Sequence, residues 1–103
     1  MHKICQDARD AACEALAPGE TVKMPYDEYD VNGNNISIRF EGRHGAVYAD
    51  VKSVTKDAEG KVTVTAVNEY SFEEKLTIYD ILDDDWPYLA DCIIERQNET
   101  KRQ

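Results

Sequence analysis

The sequence predicts an α+β fold, a two-layer sandwich in which an N-terminal and a C-terminal helix cover one face of an antiparallel sheet of four to five strands. Apolar residues recur at intervals of three and four near both ends of the chain, and they alternate with polar residues in the middle. Short runs containing glycine separate the alternating segments. Because 103 residues with 42% hydrophobic content suit one modest core, we expect a single domain over residues 1–103.

The first segment predicts an amphipathic helix over residues 3–17. Its apolar positions recur every three or four residues and are Ile4, Ala8, Ala11, Ala12, Ala15 and Leu16. Pro18 and Gly19 end the helix, because proline cannot continue the hydrogen-bond ladder and glycine accepts left-handed dihedrals.

A short edge strand is expected at residues 21–24, where Pro25 closes it. Residues 26–31 are expected to extend the sheet as far as Asn32-Gly33. This dipeptide favours a type I′ hairpin turn, whose positive φ angles match the twist of paired strands.

Three alternating segments predict consecutive antiparallel strands that form a meander. They are residues 36–40, 46–56 and 61–67, and they are rich in β-branched residues. The loops between them, 42–45 and 57–60, have the length and composition of hairpin connections. The residues of the first strand that should face the core are Ile36, Ile38 and Phe40.

The chain over residues 76–82 fits either a final strand or a helical turn, and we favour a strand that becomes a turn. A C-terminal helix is then predicted from Asp85, whose carboxylate suits an N-cap, with Pro87 in the first turn. Its buried side should contain Trp86, Leu89, Ala90, Ile93 and, at the margin, Ile94. The polar tail, residues 97–103, is expected to fray.

The charge balance restricts the classes of partner. The chain has 21 acidic and 12 basic residues, a net charge of -9, which opposes direct binding to nucleic acid or to anionic membranes. No stretch approaches the roughly 20 apolar residues of a membrane span, and Asp7, Asp10 and Glu14 lie where a signal peptide would be apolar. We therefore expect a cytoplasmic protein whose three cysteines are reduced.

Familiar catalytic constellations are missing from the sequence. Its two histidines are His2, at the N-terminus, and His44, in a glycine-flanked loop. They combine with no serine or cysteine in a recognisable nucleophilic arrangement. Asp80 and residues 83–85 suggest a calcium or magnesium site, but the start of a helix selects acids for its dipole alone. We therefore predict no enzymatic activity, no cofactor and no metal.

One stretch of the chain is strongly asymmetric in charge. Residues 69–95 contain nine acids and one lysine, a net charge of -8 (1 - 9), whereas the other residues sum to -1 (11 - 12). The same stretch holds five of the nine aromatic residues, and exposed aromatics beside charges are typical of protein-binding surfaces. We therefore predict a surface for a basic protein partner, composed of Asp80, Asp83, Asp84, Asp85, Trp86, Tyr88, Asp91 and Glu95.

The leading functional prediction is thus a non-enzymatic interaction or regulatory module, although a merely solvated acidic face would explain the same charges. A sharper variant is a nucleic-acid mimic that inhibits a DNA-binding protein, which needs the carboxylates on one continuous surface. The competing class is a small-ligand-binding domain or an unconventional enzyme, with a concave site between sheet and helices lined by Tyr26, Tyr29, Tyr48 or Tyr79. Nothing in the sequence indicates an oligomeric state.

Overall fold

The computed structural model describes residues 2–101 of the chain. They contain two α-helices, five strands and one 3₁₀ turn, joined by loops. In chain order the elements are α1 (Lys3–Ala15), β1 (Thr21–Lys23), β2 (Ser37–Gly42), β3 (Gly45–Lys56), β4 (Val62–Asn68), β5 (Glu73–Thr77), a 3₁₀ turn (Asp83–Asp85) and α2 (Trp86–Lys101). The predicted order of helix, antiparallel sheet and helix is confirmed. None of the helices described is long and apolar enough to cross a membrane.

Strand β3 organises the sheet. Its 12 residues are long enough to pair with β1 at one end and with β2 at the other, along the same edge, while β4 pairs along the opposite edge and β5 pairs with β4. All of these pairings are antiparallel, so β2 to β5 form the predicted meander. A β-bulge between Val51 and Ser53 shifts the register. Because of it, Val51 and Val54 both face the core although they are three residues apart.

The core lies between one face of the sheet and the two helices. Buried residues of both helices join those of the strands in one apolar cluster, so both helices cover the same face, as predicted. The opposite face of the sheet is partly exposed and carries polar residues such as Arg39, Asp50, Thr63 and Thr65. Ile36, Ile38 and Phe40 are all buried, as their alternation predicts.

The carbonyl groups at the C-terminal end of α1 are held by side chains from distant elements. The ammonium group of Lys56 donates to the carbonyl oxygens of Cys13 (2.9 Å) and Leu16 (3.1 Å). The amide of Gln97 donates to the carbonyl oxygen of Ala15 (2.6 Å). These groups have no partner within the helix, so α1 is bonded to β3 and to α2 at the point where it ends.

Residues 26–31 do not form a strand, contrary to the prediction. The carboxylate of Asp30 accepts hydrogen bonds from the backbone N–H groups of Asn34 and Asn35, both at 2.8 Å, and the side chain of Asn35 accepts from the N–H of Asp27 at 2.9 Å. Aspartate and asparagine side chains thus accept hydrogen bonds from backbone N–H groups of the same loop, and these bonds take the place of hydrogen bonds to a neighbouring strand. Gly33 has a positive φ of 68°, but β1 and β2 pair with β3 and not with each other, so the expected hairpin is absent.

Residues 76–82 are a strand that becomes a turn, as predicted: β5 ends at Thr77, and residues 78–80 form a turn. This part of the chain leads away from β5. It then crosses to the outer edge of β2, where Ile81 bridges to Phe40 and the backbone of Arg39 accepts from Leu82 at 3.0 Å. Helix α2 continues to Lys101. The tail that is expected to fray is thus helical over residues 97–101, and residues 102 and 103 lie outside the described part of the chain.

Candidate interaction surface

Helix α2, together with the 3₁₀ turn before it, has a buried side and an exposed side. Its buried side consists of Trp86, Leu89, Ala90, Ile93 and Gln97. On the opposite side, Asp84, Tyr88, Asp91 and Glu95 are exposed and follow one another at intervals of four, three and four residues, which is the spacing of a single helical face. Asp83, next to Asp84 in the 3₁₀ turn, is exposed as well. We refer to Asp83, Asp84, Tyr88, Asp91 and Glu95 as the acidic face.

Trp86 lies in the core and not on this face. Its side chain is 0% exposed, and its indole N–H donates to the carbonyl oxygen of Ile78 at 3.3 Å. A large aromatic ring with a single polar atom is accommodated in a core when that atom finds an acceptor. Trp86 therefore stabilises the fold, and it is removed from the predicted surface.

Asp85 is occupied by an ion pair within the chain. Its carboxylate accepts three hydrogen bonds from Arg39, from the backbone N–H (2.7 Å), from Nε (3.1 Å) and from Nη2 (2.8 Å). Hydrogen bonding to Asp85 is the main cause that raises the pKa of the Arg39 guanidinium. The prediction that Asp85 caps α2 is therefore wrong. Its carboxylate bonds to Arg39 of β2 and so holds the start of α2 against that strand.

Asp80 also serves the fold. Its half-buried carboxylate accepts a hydrogen bond from the backbone N–H of Thr77 at 2.8 Å, and its carbonyl oxygen accepts from the N–H of Glu41 at 2.9 Å. Of the six carboxylates in the predicted surface, those of Asp80 and Asp85 are thus engaged by hydrogen bonds within the chain. A nucleic-acid mimic would have to use the remaining four, which belong to the acidic face.

The four carboxylates of the acidic face form no ion pair with any other group in residues 2–101. The nearest cation along α2, Arg96, is paired with Glu99 at 3.0 Å and donates to the carbonyl oxygen of Lys23. Tyr88 adds a ring that is 51% exposed. Burial, and then its contact with Cys92, raises the pKa of the Tyr88 phenol, so the phenol is neutral at physiological pH and the charge of the face comes from its carboxylates.

A second aromatic residue borders one end of the acidic face. Tyr79 is 78% exposed, and it lines a groove of about 350 Å³ together with Arg39, Asp83 and Asp84. Sequence reasoning placed Tyr79 in the acidic stretch and among the tyrosines of a possible ligand site, but not in the interaction surface. Its position depends on the turn after β5, whose geometry the residue pattern does not show.

The tyrosines named for a ligand site do not converge. Tyr26 lines a groove of about 430 Å³ on the polar face of the sheet, where the Lys52 ammonium lies 5.6 Å from its ring centroid. Tyr79 lies elsewhere, as described, and Tyr29 and Tyr48 are largely exposed. The centre of the space between sheet and helices is occupied by the apolar cluster. Within residues 2–101, no group of three or more histidine, cysteine, aspartate or glutamate side chains is placed to hold a metal ion.

The fold and the acidic face define this protein as a small α+β sandwich with a filled core and an acidic helical surface. Comparisons of the chain with protein-family models, with curated proteins and with solved structures found no match. The chemistry of the exposed side chains is therefore the basis on which a function can be assigned.

Proposed function

We propose that this protein is a non-enzymatic interaction module whose acidic face recruits a basic protein partner. The observation that supports this proposal is one exposed helical face that joins three unpaired carboxylates to the half-exposed ring of Tyr88, with the unpaired carboxylate of Asp83 beside it in the 3₁₀ turn. From Asp84 to Glu95 the face extends about 17 Å, at 1.5 Å rise per residue. That length suits a short basic segment with several lysine or arginine side chains.

The two components of the face have different roles. Four negative charges on and beside one helical face attract a basic partner from a distance and raise the rate of association. Tyr88 supplies apolar contact area together with a polar hydroxyl, the combination that dominates binding energy at many interfaces. Carboxylates alone would explain a face that only contacts water. The half-exposed aromatic ring among them favours a protein-binding surface instead.

Capture of partners from native cell extract tests the proposal, with two variants of equal charge. The face variant carries D83N, D84N, D91N and E95Q, and the control variant carries D7N, E14Q, E28Q and E59Q at exposed acids outside the face. Each substitution removes one negative charge, so both variants change from -9 to -5. We expect the native protein and the control variant to retain a basic protein that the face variant loses.

The salt dependence of the rate of association with the purified partner then tests whether long-range attraction between charges accelerates binding. We expect the rate constant to fall at least about tenfold between 0.05 and 0.5 M salt, because salt screens exposed charges. Tyr88→Ala should mainly accelerate dissociation, by about 30-fold for a residue that contributes about 2 kcal/mol. Salt-independent association, or equal loss of binding in both charge variants, would reject the acidic face as the recruiting surface.

A further inference from the structure

A separate concavity lies between α1 and the strands β4 and β5. It has a volume of about 300 Å³ and is lined by Cys13, Lys61, Val62, Thr77, Ile78 and Tyr79. We refer to it as the α1–β4 pocket. Val62 is buried, and Cys13 and Ile78 pack against the core, so the floor of the pocket is apolar. Its volume is at the lower end of the range for sites that bind small organic molecules.

One cation lines the pocket and a second lies near one of its walls, although the chain has a net charge of -9. Lys61 is exposed and contributes directly to the lining. The guanidinium group of Arg9 lies 5.6 Å from the centroid of the Tyr79 ring, which forms one wall. Asp10 lies 3.4 Å from Arg9 and offsets part of its charge, whereas Lys61 makes no ion pair with any residue from 2 to 101.

We propose that the α1–β4 pocket binds a small organic anion, an aliphatic or aryl carboxylate whose apolar body fills the pocket and whose carboxylate meets Lys61. Burial of the apolar body against Val62, Ile78 and the sulfur of Cys13 supplies the affinity. The ammonium group of Lys61 selects the charge of the ligand, since an organic cation of the same shape would meet like charge. This site is distinct from the acidic face and does not depend on the proposed partner.

Cys13 provides a reporter for this proposal, because a bound ligand covers its thiol. The alkylation rates of Cys13 and Cys92 by iodoacetamide are measured on the same native molecules by peptide mass spectrometry. Cys92 is partly exposed on α2 and outside the pocket, so it serves as the internal control. The probes are hexanoate, 1-hexanol and hexylamine, which share an apolar chain and differ in the charge of the head group.

We expect hexanoate to slow the alkylation of Cys13 about twofold at a concentration on the order of 5 mM, as suits a ligand of few atoms, and to leave Cys92 unchanged. Hexanol should protect less, and hexylamine least. Lys61→Met should reduce protection by hexanoate to the level of hexanol. Because Lys61 is exposed, this variant should fold normally.

Three results would overturn the proposal. Absence of protection by hexanoate would show that the pocket does not bind it, and equal protection by all three probes would show that charge plays no part. Equal slowing of Cys13 and Cys92 would indicate a general effect on the protein. Backbone amide shifts in a titration with hexanoate provide a second readout, and shifts confined to residues other than Cys13, 60–62 and 77–79 would contradict the assigned position.

Discussion

Replacement of Gln97 tests how the two helices are held together. Gln97 is only 4% exposed and is the one buried polar or charged residue in the described part of the chain. Its amide group donates to the carbonyl oxygen of Ala15, the last residue of α1, at 2.6 Å and to a carboxylate oxygen of Glu20 at 3.0 Å. Gln97→Met keeps the length of the side chain and removes both donors.

The expected cost follows from the two lost hydrogen bonds. An unsatisfied buried carbonyl group costs about 1–3 kcal/mol, and the carbonyl of Ala15 loses the amide donor. The bond to Glu20 contributes less than a fully buried charged bond, because Glu20 is half-buried and its carboxylate can turn towards water. The apolar methionine offsets about 1 kcal/mol through burial. We expect Gln97→Met to lower the free energy of unfolding by about 2 kcal/mol, and Tm by about 10 °C.

Urea denaturation followed by circular dichroism measures this loss, and Asn98→Ala is the matched control. Asn98 is the next residue on α2 and is exposed, so its replacement should change stability by less than about 0.5 kcal/mol. If Gln97→Met were as stable as Asn98→Ala, the two hydrogen bonds would contribute nothing net and the account of the helix contact would be refuted.

Gln97→Glu extends the same test to pH. The introduced carboxylate would face the Glu20 carboxylate and the Ala15 carbonyl, so its pKa in the folded state should lie above its value in the unfolded chain. Stability should therefore be nearly normal below about pH 4 and should fall as the pH rises through the folded pKa. A variant whose stability did not fall with rising pH relative to the native protein would contradict this geometry.

Three further predictions follow from other parts of the fold. Lys56→Met should lower stability by about 1–2 kcal/mol in urea, because the last carbonyl groups of α1 lose a charged donor; protection of α1 amides against hydrogen exchange should fall first, and unchanged protection would contradict this role. Gly42→Ala should cost about 1–3 kcal/mol, since an added Cβ would lie 2.6 Å from Cγ2 of Val47; a variant as stable as the native protein in thermal unfolding would show that the β2–β3 turn adapts. Burial raises the pKa of the Cys13 and Cys92 thiols, so the unfolded chain releases these protons at lower pH than the folded one. Stability should then decline as the pH rises above about 8.5, and replacing both cysteines by serine should flatten that decline; an unchanged slope in the double variant would exclude the thiols as its cause.

The strands of the meander could be predicted from sequence because one face of each is buried. When one face meets an apolar core and the other meets water, residues must alternate, and the alternation is visible without coordinates. Residues 36–40 and 61–67 show it throughout, and 46–56 shows it as far as the bulge after Val51. Each segment corresponds to an observed strand within one or two residues at the ends. Gly42 and Gly45 also predict the β2–β3 hairpin correctly, because turn-forming residues can be recognised from the local sequence.

The features that the sequence did not reveal depend on partners far along the chain. Local position predicts a helix cap at Asp85, but its partner Arg39 is 46 positions away. Gln97 belongs to the polar tail predicted to fray, yet its acceptor Ala15 is 82 positions away. Neither contact can be predicted from the periodicity of the sequence, because a single pair of polar residues far apart in the chain forms no repeating pattern. The loop that replaced the strand at residues 26–31 could have been suspected, since side chains of its aspartates and asparagines compete with a sheet ladder.

The acidic face could have been drawn more narrowly from helical spacing alone. Trp86 belongs both to the predicted buried stripe of α2 and to the predicted interaction surface, and one helix position cannot satisfy both. The stripe through Leu89 and Ile93 requires Trp86 to face inward. Positions four, seven and eleven residues after Asp84 then select Tyr88, Asp91 and Glu95 as the outer face. Helical spacing therefore predicts four of the five members of this face, but neither Asp83 nor the absence of ion pairs to its carboxylates within residues 2–101.

Tyr79 connects the two proposed sites, because its exposed ring borders both the groove at Asp83 and Asp84 and the α1–β4 pocket. Asp83 and Asp84 line the groove with Tyr79, whereas Lys61 lines the pocket with it, and the Arg9 guanidinium lies 5.6 Å from the ring centroid. A substitution at Tyr79 would therefore disturb both proposed sites at once. Lys61 lines only the pocket and Tyr88 belongs only to the acidic face, so Lys61→Met and Tyr88→Ala are the variants that separate the two proposals.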